Sequence, residues 1–324
     1  MILALETSCD DTCAAVVTQA GEIRSNVVSS QAVHGRFGGV VPEWASRHHL
    51  ENVNAIVDLA LREANATLDD AELIAVTQGP GLVGALLIGV ATAKGLAASR
   101  RLPLAAVDHL QGHVAANFLE GGFEPPFICL LASGGHSLLA RVTSHDGYET
   151  LGQTLDDAAG EAFDKAARMM HLGYPGGPAV QHAAESGDPH RYPLPRAWLR
   201  PSYNFSFSGL KTAVLRTVRE AGDSLVVPDL AASFQEAIVD VLATKTLEAA
   251  REHGAANIAL AGGVAANLPL RERIQQLSEV PVLIPPVRLC TDNAAMIAAA
   301  GHFRFEAGER SALDLDVSPV LPIT

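Results

Sequence analysis

Two histidines four residues apart, in His109-Leu110-Gln111-Gly112-His113, fall on one face of a helix. At that spacing two imidazoles can share a metal ion. Such a pair is an incomplete site and needs a carboxylate from elsewhere. Asp292, in Leu289-Cys290-Thr291-Asp292-Asn293-Ala294, is the best candidate, a lone acid opening an Ala-rich stretch. The same position suits an ordinary helix N-cap, and a histidine pair by itself also packs without a ligand. Leu110 stands where a zinc peptidase of this spacing carries glutamate, so that chemistry lacks its general base. His48 and His49 are adjacent rather than four apart, which reads as surface or site wall.

Glycine turns form a second group. Ser133-Gly134-Gly135-His136 can bring backbone amides close to an acyl-phosphate, because residues without a Cβ let the chain approach it. Gly262-Gly263 ahead of a helix offers a flat platform for a base, with Asn267 as a side-chain hydrogen-bonding candidate. The run from Asp156 to Ala167 predicts a helix after Asp156 with Asp157, Glu161 and Asp164 along one face. An acidic stripe is usually solvated, but Tyr174-Pro175-Gly176-Gly177-Pro178 follows, and its glycines let a ribose lie against backbone. Asp164 is then a candidate acceptor for ribose hydroxyls. Asp10 and Asp11 stand back to back, so one at most faces a given ligand atom and the other orders the turn.

The elements that position these residues recur. Ile2 to Val17 is an apolar run, a polar turn and a second apolar run, and Phe127 to Val142 repeats that plan, predicting two β-hairpins. Leu73-Ile74-Ala75-Val76 leads into Gly79-Pro80-Gly81 and a helix, as Ile258-Ala259-Leu260-Ala261 leads into Gly262-Gly263 and another. A strand, a glycine turn and a helix make a phosphate-binding end. Recurrence in the same order predicts a duplicated α/β domain with ligand between its lobes. The expected division is residues 1–108, 109–293, and a C-terminal helix and tail, 294–324, returning to the first lobe.

Composition narrows the class. The 324 residues are 48% hydrophobic and 18% charged, which fits a globular chain and excludes a disordered polyelectrolyte. Apolar stretches are interrupted before the length of a bilayer span, and no basic leader precedes Ile2, so a cytoplasmic location without membrane is expected. Four scattered cysteines make no disulfide scaffold or zinc ribbon. A net charge of −13 disfavours non-specific attraction to nucleic acid. One island departs from that balance: residues 190–219 hold Arg191, Arg196, Arg200, Lys211, Arg216 and Arg219 with no acid, interleaved with Tyr192, Trp198, Tyr203, Phe205 and Phe207. It is either a structural connector or an RNA-contacting patch.

Taken in order, these motifs resemble one family. Glu-Thr-Ser-Cys-Asp-Asp-Thr, Gly-Pro-Gly-Leu, His109-x-x-x-His113, Ser-Gly-Gly-His, Gly-Glu-Ala-Phe-Asp-Lys, Tyr-Pro-Gly-Gly-Pro, Phe-Ser-Phe-Ser-Gly-Leu-Lys, Gly-Gly-Val-Ala-Ala-Asn and Thr-Asp-Asn-Ala-Ala-Met follow the TsaD family's sequence from Ile2 to about Phe303. These are tRNA N6-adenosine threonylcarbamoyltransferases, once labelled sialoglycoprotein endopeptidases. The resemblance implies the α/β, RNase H-like fold of actin, sugar kinases and heat-shock ATPases, two lobes around a nucleotide cleft. It implies transfer of threonylcarbamoyl from threonylcarbamoyl-AMP to adenosine 37 of tRNAs reading codons that begin with A.

Carried over by motif, His109, His113 and Asp292 hold a divalent metal, Fe(2+) or else Zn(2+). Ala132, Ser133, Gly134, Gly135 and His136 line the acyl-phosphate end, and Asp164, Gly177 and Asn267 take ribose and adenine. Implied partners are tRNA, a smaller inactive paralogue (TsaB-like) and a P-loop ATPase (TsaE-like). Gln181 departs from the pattern, since many relatives carry an acid there that touches ribose. The adenine amine is a weak nucleophile, so its proton must be removed. Asp11 is the first choice for that base, ahead of Asp10 and Glu6. A phosphotransferase or a non-catalytic paralogue of the same fold is the alternative.

Overall fold

A computed structural model of the chain describes residues 1–119 and 124–321. In chain order the strands and α-helices are β1 (Ile2–Glu6), β2 (Asp11–Val17), β3 (Ile23–Ser30), α1 (Pro42–Glu63), β4 (Leu73–Gly79), α2 (Val83–Arg100), β5 (Leu104–Asp108) and α3 (His109–Ala115). There follow β6 (Phe127–Ala132), β7 (Ser137–Val142), β8 (Tyr148–Gln153), α4 (Ala159–Met169), α5 (Gly176–Ala184), α6 (Ser208–Ala221) and α7 (Val227–Glu252). The run closes with β9 (Ile258–Ala261), α8 (Leu268–Leu277), β10 (Val282–Leu283), α9 (Val287–Cys290) and α10 (Ala294–Glu306).

Two five-stranded sheets form, ordered β3-β2-β1-β4-β5 and β10-β9-β6-β7-β8. In the first, β1 is antiparallel to β2 and parallel to β4, with Ile2 opposite both Val17 and Leu73. In the second, β6 is antiparallel to β7 and parallel to β9. Read outward from β1 and β6, the two sheets have one plan, so the duplication expected from the sequence is present in the connectivity.

The first compact unit comprises Met1–Pro125, Thr143–Tyr148 and Pro285–Thr324. All five residues of β1 are buried, as a central strand covered on both faces requires. Leu3, Leu5, Ile74 and Val76 face Val53 and Val57 of α1 and Val90, Ala93 and Ala97 of α2. Ile2, Ala4, Leu73, Ala75, Ala105 and Val107 face Ala294 to Ala300 of α10. Small residues let α10 lie close: a Cβ on Gly301 would stand 2.6 Å from that of Ala75. Contrary to expectation, α2 is long and apolar enough by composition to cross a bilayer. Its Ala85, Leu86, Val90, Ala93 and Ala97 are buried, which makes it a core helix of this unit.

The second unit comprises Pro126–Val142 and Glu149–Ile284. The boundaries expected at 108 and 293 therefore shift. Helix α3 starts directly from β5 and packs on α10, so both histidines and Asp292 belong to the first unit. In the second unit Gly262 has φ +85°, and a Cβ there would come within 2.4 Å of the Ala132 carbonyl oxygen, so only glycine fits.

Helix α4 begins at Ala159, later than the sequence suggested, and Asp157 lies outside it. The preceding turn is already committed. The Thr154 hydroxyl donates to the Asp157 carbonyl at 2.7 Å, and the Asp156 carboxylate accepts from the Phe207 and Ser208 amides at the start of α6.

Candidate functional site

In the first unit, β5 ends at Asp108, whose Oδ1 accepts from the amides of Leu110 and Gln111 at 2.6 and 3.1 Å. That cap starts α3 immediately after the strand and sets His109 and His113 on one face, their rings 4.7 Å apart and edge to face. Asp292 is not the cap of α10. Asn293 is, its Oδ1 accepting from the Met296 amide at 3.0 Å, which leaves the Asp292 carboxylate to meet the histidines. Asp292 Oδ1 lies 3.2 Å from His113 Nε2 and 3.6 Å from His109 Nε2, and one ligand atom from each of the three residues falls within 4.8 Å of the others. Donors bonded to one metal at about 2.0–2.1 Å stand roughly 3 Å or more apart, so these spacings fit shared coordination.

His113 supplies the test of fit. Its ring is buried and neither nitrogen has a hydrogen-bond partner among the described residues. An imidazole left so is costly unless a cation takes its lone pair. Burial resists the charging of His109, yet the Glu6 and Asp292 carboxylates outweigh it and raise its pKa to about 9. The site favours positive charge. Asp11, the first residue of β2 and paired with Ser30, has its pKa raised to about 6 by burial, with Asp292, Asp10 and Glu6 adding to the rise against the Ser30 hydrogen bond. Asp10 sits in the turn before it, its carbonyl accepting from the Gln31 amide at 3.2 Å.

In the second unit the Ser133 turn is fixed from within. The Ser133 amide donates to the His136 carbonyl at 2.7 Å, and the His136 amide donates to Ser133 Oγ at 3.2 Å. Gly134 and Gly135 remain exposed with open space where a Cβ would stand. Ala132 ends β6 against Gly262. Asp164 Oδ1 accepts from the Gly176 amide at 2.7 Å and so pins the start of α5, beside which Gly177 faces open space. Asn267 is more committed than its motif suggests. Its Oδ1 caps α8 at Leu270, while its Nδ2 donates to Gln181 at 3.1 Å and Gln235 at 2.9 Å. It therefore has only acceptor capacity to spare for a ligand. Gln181 also accepts from the Leu268 amide at 2.9 Å, a bond that holds the loop ahead of α8.

The model of the TsaD family, described as tRNA N6-adenosine threonylcarbamoyltransferase, matches residues 22–299. The chain belongs to the TsaD family. Curated relatives bearing that description include one from Dehalococcoides mccartyi strain CBDB1, 54% identical over 100% of this chain and 99% of its own length. Another, from Thermomicrobium roseum, is 51% identical over 100% and 97%. Among solved structures, T. kodakarensis HypF aligns with a TM-score of 0.62 at 15% identity, over 94% of this chain and 48% of HypF. The Acidaminococcus fermentans (R)-2-hydroxyglutaryl-CoA dehydratase component A aligns at 0.55 and 13% identity, over 95% and 98%. These distant likenesses bear on the fold alone, and it is the actin-like ATPase fold expected from the sequence.

Within this TsaD-family chain several cations of the basic island are already paired with acids, as the connector reading of its sequence expects. Arg196 pairs with Asp240 at 2.8 Å and Arg200 with Glu248, both acids lying on α7. Lys211 pairs with Asp157 at 2.8 Å, and the Tyr203 hydroxyl donates to Glu252. Phe205 and Phe207 are buried. Part of the island thus serves as a connector tied to α7 and to the Asp157 turn, while Arg191, Arg216 and Arg219 stay exposed.

Sequence reasoning undervalued Glu6. It lies fully buried at the end of β1, with Oε2 2.9 Å from His109 Nδ1, behind the imidazole rather than facing a substrate as a base would. An acid closing an otherwise apolar strand, Ile2-Leu3-Ala4-Leu5-Glu6, was the available signal.

Proposed function

We propose that this chain transfers the threonylcarbamoyl group from threonylcarbamoyl-AMP to N6 of adenosine 37 in tRNAs reading codons that begin with A, releasing AMP. Membership of a family of tRNA N6-adenosine threonylcarbamoyltransferases supports the reaction class. The observation that carries the reading is the convergence of His109, His113 and Asp292 around a common point. A divalent cation bound there supplies Lewis acidity toward a carboxylate or carbamoyl oxygen. We assign it as Fe(2+), with Zn(2+) the other cation that two imidazoles and one carboxylate suit.

The chain's own groups have separate tasks. In the reaction a bond forms between N6 and the carbamoyl carbon, and the bond from that carbon to the phosphate oxygen breaks, its electron pair leaving with AMP. Asp11 takes the proton that N6 loses. With a pKa of about 6 it is mostly ionised at neutral pH while remaining basic enough to accept that proton. The Gly134 and Gly135 amides, on a turn fixed by Ser133 and His136, meet the charge growing on the AMP phosphate. Asp164, the open face of Gly177 and the spare acceptor of Asn267 receive ribose and adenine.

We further propose a TsaB-like paralogue and a TsaE-like P-loop ATPase as partners, and a cytoplasmic location, where the tRNA substrate resides. Mass spectrometry of nucleosides from tRNA tests the reading in cells depleted of this protein. Loss of threonylcarbamoyladenosine is expected, restored by the wild-type gene and not by the His109→Ala variant. An unchanged level on depletion overturns the assignment.

A further inference from the structure

We propose that Glu6 is a positioning residue of the metal centre, holding His109 in the tautomer and orientation that bind a cation. The proposal rests on the reading that His109, His113 and Asp292 hold a metal. An imidazole can offer a lone pair from one ring nitrogen only when its proton sits on the other. Glu6 Oε2 stands 2.9 Å from His109 Nδ1, and an ionised carboxylate only accepts, so a proton is held on Nδ1 and Nε2 is the nitrogen whose lone pair a cation can take in place of a proton. Nε2 is the nitrogen that faces Asp292, 3.6 Å away.

Glu6 is itself fixed. Its Oε2 also accepts from the Thr77 hydroxyl at 2.5 Å, and its Oε1 accepts from the Ser8 amide. Both oxygens are therefore held by donors from β4 and from the turn after β1, and the carboxylate has no freedom to turn away from the histidine. Neighbouring strands of one sheet, β1 and β4, set the ring plane of a residue on α3. Glutamine at position 6 cannot reproduce this. Turned one way, its NH2 group faces the Ser8 amide, donor against donor; turned the other way, it donates toward His109 Nδ1, which shifts the ring proton to Nε2 and takes that nitrogen away from a cation. Loss of such outer partners typically costs 10- to 100-fold in metal affinity.

The test titrates the full-length chain with Co(2+), whose visible d–d absorption reports coordination geometry, in competition with a chelating indicator. Thermal melts in EDTA are run in parallel. Wild type should bind one equivalent, and Glu6→Gln should bind about 10- to 100-fold more weakly with an altered spectrum. Thr77→Val, which removes only the hydroxyl that steadies Glu6, should weaken binding several-fold. If Glu6→Gln does not fold, Thr77→Val decides alone. Wild-type affinity and spectrum in the folded variants, even with a lowered melting point in EDTA, would make Glu6 a structural residue and overturn the proposal. Failure of the wild type to bind Co(2+), Fe(2+) or Zn(2+) would instead overturn the metal reading beneath it.

Discussion

Replacing His113 with leucine should reverse the stability order of the protein according to whether a cation is present. The imidazole is buried and neither nitrogen has a hydrogen-bond partner among the described residues, although Nε2 lies 3.2 Å from Asp292 Oδ1. Each buried polar group left unpaired costs about 1 to 3 kcal/mol. Leucine is of similar size and has no such groups, so in EDTA His113→Leu should be more stable than wild type by about that amount. Asp292 keeps His109 as a neighbour at 3.6 Å, which limits what the substitution takes away. With a cation at 100 times its Kd the wild type gains about 2.7 kcal/mol, whereas the variant, short of one ligand, gains little. Urea unfolding followed by circular dichroism, in EDTA and in excess Zn(2+), measures both differences. A variant less stable than wild type in EDTA by more than about 1 kcal/mol would show that His113 earns its place through protein contacts. A variant gaining as much from Zn(2+) as the wild type would remove His113 from the ligand set.

If Asp11 is the base, transfer should fall as pH drops through about 6, because burial first, and then the surrounding carboxylates, favour its protonated form. Steady-state rates between pH 5 and 8 should show that acidic limb, and its survival in residual Asp11→Asn activity would assign it to another group. Gly177→Ala should leave the melting point unchanged, since a Cβ there meets nothing within 4 Å, yet weaken AMP binding measured by calorimetry. Unaltered AMP affinity would place the nucleotide elsewhere. Arg196→Ala and Arg200→Ala should leave the salt dependence of tRNA binding unchanged, because Asp240 and Glu248 already neutralise them. A slope reduced by about 1 in either variant would mean that the arginine exchanges its acid for a phosphate.

Much of this was legible in the sequence because the informative patterns were local. The apolar-polar-apolar runs gave β1–β2 and β6–β7, and the glycine turns after β4 and β9 marked where helices start. The His109–His113 spacing survived intact because α3 is capped at once by Asp108. What sequence could not show was pairing across long separations. The acids that neutralise Arg196 and Arg200 lie on α7, 44 and 48 residues on, and a window of sequence sees only the cations. Asn267 read as a ligand contact, yet its NH2 group is spent on Gln181 and Gln235. Asp157 fitted a helical stripe until competing bonds from the Thr154 hydroxyl, Lys165 and Lys211 held it in the turn. Asp292 read equally well as a cap or a ligand, and only the side chain of Asn293 separates the two.

The placement of α10 bears on how the chain is made. The first sheet is complete at Asp108, but the helix that covers its Ile2, Ala4, Leu73, Ala75, Ala105 and Val107 face begins at Ala294. At about 5–20 residues per second, a ribosome takes on the order of 10 to 40 seconds to synthesise the intervening chain. Throughout that interval a strip of valine, leucine, isoleucine and alanine lacks most of its native cover. Asp292 emerges in the same late stretch, so the cluster of His109, His113 and Asp292 can assemble only as the first core closes. The second unit, continuous from Glu149 to Ile284 apart from its opening hairpin, can finish folding first. The earliest-translated sheet is thus the last to be sealed.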